Sequence, residues 1–341
     1  MNMRKKSVGK IATTGGIGIL VLGILIQNSY YRGIMEKAGL PEKEEKHYEY
    51  QFEMIVSSPH STFWQDVYKN GRETAEENNV LLELKGTDWE TEYDKIDFMN
   101  MSIASNADGI IVEYNGEKGL EEKIQEAMDR GIPVVTVMGN VPLVTTQSFV
   151  GVSDYQLGVA YGEQVAACAD EDTDDILILL RRTDENTQQN QIYTQISKAV
   201  LKDAANPDSI RIEGRNFMTA DAFETEEAIR DIFQKKSGPP DILVCMDEET
   251  TECARQALID YNMADRVKII GYYTSENILE AVEKGLIPVT CHVDTQQLGM
   301  YSVQALAEYC KEGRASSYYN VDVSFVDRDT VAEYKKKGAF S

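Results

Sequence analysis

Ala107-Asp108-Gly109-Ile110-Ile111-Val112, a charged segment from Leu120 to Arg130, and Gly131-Ile132-Pro133-Val134-Val135 running on to Met138 decide the fold. Gly109 to Val112 is a short apolar run of the kind that makes a buried strand, and the segment after it has helical spacing. Gly131-Ile132-Pro133 stops that helix and opens a strand over 134–138. Strand, helix and strand in succession is the unit of a parallel sheet. The same rhythm extends on the amino side: a strand over 52–56, a helix over 62–78, a strand over 80–85, and a helix over 93–105. That last helix places Ile96, Met99, Ile103 and Ala104 on one face. On the carboxyl side, strands over 176–180, 210–216, 242–245, 267–271 and 289–293 alternate with helices over 191–204, 223–235, 249–260, 277–284 and 296–311. The expected architecture is α/β, with two doubly wound parallel-sheet lobes.

The amino terminus reads differently. Arg4, Lys5, Lys6 and Lys10 precede a charge-free stretch over 11–31, which is expected to be a signal anchor or transmembrane helix. Small residues in an Ala-x-Ala-like arrangement do not follow its apolar core, so the reading favours an anchor that stays attached. The basic cluster makes 1–10 a cytoplasmic segment and puts the body on the extracytoplasmic face of the cell membrane. Residues 32–47, dense in Glu and Lys, read as a solvated stalk.

The 341 residues carry 34 Lys+Arg against 57 Asp+Glu, a formal net charge of -23, which repels phosphate backbones and excludes nucleic acid as a partner. Five cysteines, Cys168, Cys245, Cys253, Cys291 and Cys310, have no metal-ligand spacing and read as packed apolar residues rather than a disulfide framework. With three histidines (His47, His60 and His292) and no nucleophile, base and orienter set, catalysis is not expected, nor is a metal or cofactor. Glu248 and Glu249 read as solvated residues at a helix start. In open parallel sheets the ligand crevice lies beyond the carboxyl ends of the strands. The informative positions are therefore 57–64, 113–115, 138–140, 181–190, 246–248, 272–274 and 293–294, which are rich in aromatic and amide groups.

From Tyr48 onward the chain resembles the periplasmic sugar-binding proteins of the ribose-binding type, whose lobes also form the effector domain of lac-repressor-like regulators. The segments that carry the resemblance are Ser61-Thr62-Phe63-Trp64 with Gly71, the two stretches quoted first, Val152-Ser153-Asp154-Tyr155-Gln156-Leu157-Gly158, Ile269-Ile270-Gly271-Tyr272-Tyr273, and Ala281-Val282-Glu283-Lys284-Gly285 with Gln297-Leu298-Gly299. It implies a type 1 periplasmic binding protein: one lobe from 48–152 plus 294–322, the other from 153–293 plus 323–341, joined by a three-strand hinge at about 151–153, 293–294 and 322–324.

The resemblance also implies a site. Phe63 and Trp64 stand where the family stacks rings on a sugar face, with Trp64 expected in the cleft and the alternative that one of the two rings is core, and Ser61 matches a polar contact. Asp247 is retained, Asn190 falls near a second-lobe arginine, and Val293 replaces a glutamine. Met138-Gly139 stands in place of an Asp-Arg pair, Met246 replaces an asparagine, and Gly271-Tyr272-Tyr273 replaces a Gly-Phe-Asp segment. The candidate ligand-binding set is Ser61, Phe63, Trp64, Tyr114, Asn140, Asn190, Asp247, Tyr273 and Val293, for a sugar or sugar derivative. The lost charged contacts imply either a ligand less hydroxyl-dense than a pentose or a site that uses Tyr114, Tyr273, Asn140 and Asn190 instead. An apolar span where a regulator would carry a basic helix-turn-helix excludes a transcription factor. Two partners stay open: an ABC permease that receives the solute, and a membrane histidine kinase or chemoreceptor that reads the closed form.

Overall fold

The strands carry apolar residues on both faces, as parallel strands covered by helices on each side must. In the computed structural model β1 (Tyr50–Val56), β2 (Val80–Gly86), β3 (Gly109–Glu113), β4 (Val134–Val137) and β5 (Ser148–Gly151) alternate with α1 (Thr62–Glu77), α2 (Lys95–Ser105) and α3 (Leu120–Asp129). Then come α4 (Asp154–Cys168), β6 (Asp175–Leu180), α5 (Gln191–Asp203), β7 (Arg211–Asn216), α6 (Ala222–Phe233), β8 (Ile242–Cys245), α7 (Glu248–Asp260), β9 (Lys268–Tyr272), α8 (Glu276–Glu283) and β10 (Val289–Val293). The chain closes with α9 (Thr295–Glu312), β11 (Tyr318–Asn320), β12 (Val323–Asp327) and α10 (Val331–Gly338). The structure describes residues 47–87, 93–141, 144–180, 190–203, 207, 209–217 and 222–338, and Tyr48–Ser341 is one compact unit.

Two six-stranded sheets result, in the orders β2-β1-β3-β4-β5-β11 and β7-β6-β8-β9-β10-β12. Every pairing is parallel except that of β12 with β10. The two-residue period of β3 sorts its side chains between layers: Ile110 and Val112 pack with Met99, Leu120 and Ile124, while Ile111 packs with Trp64, Val67 and Leu306 on the opposite face. In β6 the same period sends Leu177 and Leu179 to one layer and Ile176, Ile178 and Leu180 to the other. Gly109 has no side chain because a Cβ there would meet Leu306 Cδ1 at 2.9 Å.

The chain passes between the sheets three times: after Gly151, after Val293, and between Asn320 and Val323. Several elements lie outside the sequence reading, namely β5, α4, β11, β12 and α10. The strand expected to reach Met138 ends at Val137, because Met138 turns into the left-handed region with φ 62°. The anchor expected over 11–31, its basic leader and the stalk to residue 46 lie outside the described residues. Among the described residues no helix is long and apolar enough to cross a membrane.

Candidate functional site

In each sheet the connection from the first strand leads to one side and the connection from its neighbour leads to the other, so β1/β3 and β6/β8 are the points where strand order reverses. A crevice opens outside such a point. The residues that follow these strands also begin helices, and their side chains cap them. Ser61 Oγ accepts the Trp64 N–H at 3.2 Å, Asn190 Oδ1 accepts the Ile192 N–H at 2.9 Å, and Asp247 Oδ1 accepts the Thr250 N–H at 2.7 Å. Helix N-termini from both sheets are thereby aimed at one place.

There the two halves enclose a cavity of about 90 Å³. From the first sheet come Ser58, Ser61, Phe63, Trp64, Tyr114 and Asn115, with Glu113 behind them and Met138-Gly139 at the edge. Phe63 is central to an aromatic cluster, meeting Trp64, Tyr272 and Tyr273 edge-on with ring centroids 5.0, 5.7 and 5.1 Å apart. Glu113, 2% exposed, accepts the Ser57 N–H at 2.6 Å and the Asn115 Nδ2–H at 3.0 Å. The buried Lys95 ammonium lies 3.5 Å from it and also pairs with Glu117. This carboxylate ties the loop after β1 to the loop after β3 and fixes one wall of the crevice.

The second sheet contributes Asn190, Asp247, Glu248, Glu249 and Tyr272, and an apolar group of Leu157, Leu180, Ile192 and Met246. Glu248 corrects the sequence reading: it is 9% exposed and is not a solvated helix-start residue. The first turn of α7 abuts the N-terminus of α1, and Glu248 Oε2 accepts the Phe63 N–H at 2.9 Å across the cleft. Burial pushes its carboxyl above the ordinary range, and the hydrogen bonds from Phe63 and Thr62 only partly oppose that. A second bond spans the cleft nearby, from the Tyr273 hydroxyl to Asp66. Burial foremost, and Asp66 after it, push the Tyr273 phenol far above its ordinary value, so it stays a donor.

Of the nine candidate residues, Ser61, Phe63, Trp64, Tyr114, Asn190 and Asp247 line this cavity. The other three lie elsewhere: Asn140 is exposed, Tyr273 is committed to Asp66, and Val293 is buried on β10 opposite Val323. Positions 181–189 lie outside the described residues. Leu157, Leu180 and Ile192 escaped the sequence reading because an apolar residue facing a crevice has the same periodicity as one facing the core. Gly139 was legible as a departure, and its cause is steric: a Cβ there would lie 2.0 Å from the Tyr114 carbonyl oxygen.

A family model described as a periplasmic binding protein domain matches residues 52–315. The chain belongs to the periplasmic binding protein family. Several solved structures share the fold of this periplasmic binding protein. The XylFII molecule is 20% identical with a TM-score of 0.67, over 82% of this chain and 99% of that one. The XylFII-LytSN complex gives 21% and 0.68, over 82% and 98%. GanP, a glucose-galactose binding protein from Geobacillus stearothermophilus, gives 19% and 0.68, over 82% and 98%. No curated protein sequence matches. Like the rest of its family, this periplasmic binding protein binds its solute without transforming it and is not an enzyme.

The five cysteines of this binding protein are free thiols. Burial pushes the thiols of Cys253 and Cys291 up to about 12, so they stay protonated and unreactive.

Proposed function

We propose that this protein is an extracytoplasmic receptor whose two lobes close on a small sugar-like solute, held to the membrane by the helix at 11–31 and delivering the solute to an ABC importer. The observation that carries the reading is the cavity itself: aromatic rings, carboxylates and two amides converge on it from the strand ends of both sheets. Rings receive the C–H face of a sugar while acceptors and donors at the margin take its hydroxyls. A guest that touches both lobes shifts the balance toward the closed form by its differential affinity for that form. The three passages between the sheets would serve as the hinge.

A panel of monosaccharides in a thermal-shift assay tests this, since a ligand that binds only the folded state raises its midpoint. A rise with one or a few sugars is the expected result, and no rise with any of them would refute it. For the anchor, the full-length chain is expected to remain in the membrane fraction after alkaline carbonate washing, whereas a shortened, released species would mean that the segment is removed.

One observation favours a second role. A structure with this fold has been solved as the XylFII-LytSN complex, so such a receptor can present itself to a second protein. In this reading the closed form is sensed by a membrane histidine kinase or chemoreceptor. Cross-linking in membranes, with and without solute, separates the two: a permease captured in the closed state supports import, and a kinase supports sensing.

A further inference from the structure

Five apolar side chains face the cavity from positions that end or follow strands or begin helices: Met138, Leu157, Leu180, Ile192 and Met246. All but Met138, which is half-buried, are less than 9% exposed, and all five belong to or pack against one apolar cluster. A sugar hydroxyl pressed against such a wall gives up its water and gains no partner, whereas a methyl or methylene gives up water at a gain.

An independent observation comes from Asn190, which is 4% exposed and lines the same cavity. Its Oδ1 accepts the N–H groups of Ile192 and Tyr193 at 2.9 and 3.2 Å, which fixes the orientation of the amide. Among the described residues its Nδ2 has no hydrogen-bond partner. A buried donor in that state is costly unless a guest supplies an acceptor.

Building on the receptor reading, we infer that the ligand is a deoxy sugar. Its reduced carbon, a methyl group in a 6-deoxyhexose, lies against the Met138–Met246 wall, and one of its oxygens accepts from Asn190 Nδ2. The polar half of the cavity, with Asn115 and Asp247, takes the remaining hydroxyls, and Trp64 lies beside the ring.

Calorimetric titration of the full-length protein with three matched pairs tests the assignment: L-rhamnose with L-mannose, L-fucose with L-galactose, and D-quinovose with D-glucose. At least one deoxy member should bind roughly 10- to 100-fold more tightly than its parent, the range over which a hydrophobic pocket rejects an added hydroxyl. Met138→Asn puts an amide into the wall at a residue whose left-handed backbone, φ 62°, asparagine adopts readily. It should reduce the preference to about threefold or less, and Met246→Asn should act the same way.

A parent hexose that binds as tightly as its deoxy partner overturns the inference and leaves the receptor reading in place. Preference retained undiminished in both variants also overturns it, by putting the discrimination away from the wall. Failure of all six sugars to bind overturns the inference, and a response to another monosaccharide in the thermal-shift panel then leaves the receptor reading standing. Should a variant not fold, the paired comparison on the unaltered chain still decides.

Discussion

Tyr273 is held in the left-handed region, φ 70°, a conformation that costs a bulky residue of order 1–3 kcal/mol and persists only where its surroundings enforce it. They do so on three sides: its N–H donates to the Cys291 carbonyl at 2.6 Å, its carbonyl accepts from Thr290 Oγ1 at 2.7 Å, and its hydroxyl donates to Asp66 across the cleft. A hydrogen bond to a charged group contributes about 1.5–3 kcal/mol. Tyr273→Phe is therefore expected to weaken the closed arrangement by about 2 kcal/mol while leaving the ring contacts with Phe63 intact. Small-angle scattering checks this, with the variant giving a larger radius of gyration than the unaltered protein; equal radii would assign closure to other contacts. At this scale the sequence was only partly legible. The aromatic character of 272–274 was plain, but whether Tyr273 faces the guest or the opposite lobe depends on a backbone angle and on Asp66, some two hundred residues earlier.

At the scale of elements, glycine sets how closely helices approach. A Cβ on Gly299 would lie 2.3 Å from the Val67 carbonyl oxygen and 2.7 Å from Gly71 N, so α9 and α1 touch backbone to backbone. Gly299→Ala is expected to destabilise the body by about 2–3 kcal/mol, read as a lower urea midpoint. Gly158 plays the same part between α4 and α5, where a Cβ would meet Ile192 Cα at 2.8 Å. This packing explains why α4 is hard to read: its buried face interleaves Gly158 and Gly162 with Leu157, Tyr161 and Val165, while alanines stand outside that face, so amphipathic contrast is small. The strands β5, β11 and β12 are short and gain their order from neighbours supplied by distant sequence. The central strands of both sheets, by contrast, are written as apolar runs and are legible directly.

The strand β10 carries a titrating group at the passage between sheets. His292 Nδ1 shares hydrogen bonds with the Tyr334 hydroxyl on α10 at 2.9 Å and with Thr274 Oγ1 at 3.2 Å. Burial pushes its imidazole below the ordinary value, against the opposing pull of Asp294. As pH falls below about 6.5 the unfolded chain takes up a proton that the folded chain resists. Stability from this group is therefore complete above that pH and declines as pH drops toward the folded value. The urea midpoint should fall more between about pH 7 and about pH 5 in the unaltered protein than in His292→Gln. Matching slopes would mean that the imidazole has no part in the acid response.

At the scale of the molecule, two sheets with matching strand orders present their strand ends to each other, and the crevice between them combines groups that neither half has alone. The bonds that span it, from Phe63 and Thr62 to Glu248 and from Tyr273 to Asp66, tie the amino-terminal part of α1 to the strand ends of the second sheet. Because burial in the fold makes Glu248 hold its proton more tightly than in the unfolded chain, its contribution to folding stability is full in acid and is lost as pH rises through its raised value. The central claim is that the solute sits between the lobes, and a crystal structure of the body grown with the best-responding sugar tests it most directly. One sugar between Trp64 and Asn190, with its apolar edge toward Met246, is the predicted result. A sugar bound on the outer surface, with that cavity empty, would contradict the account.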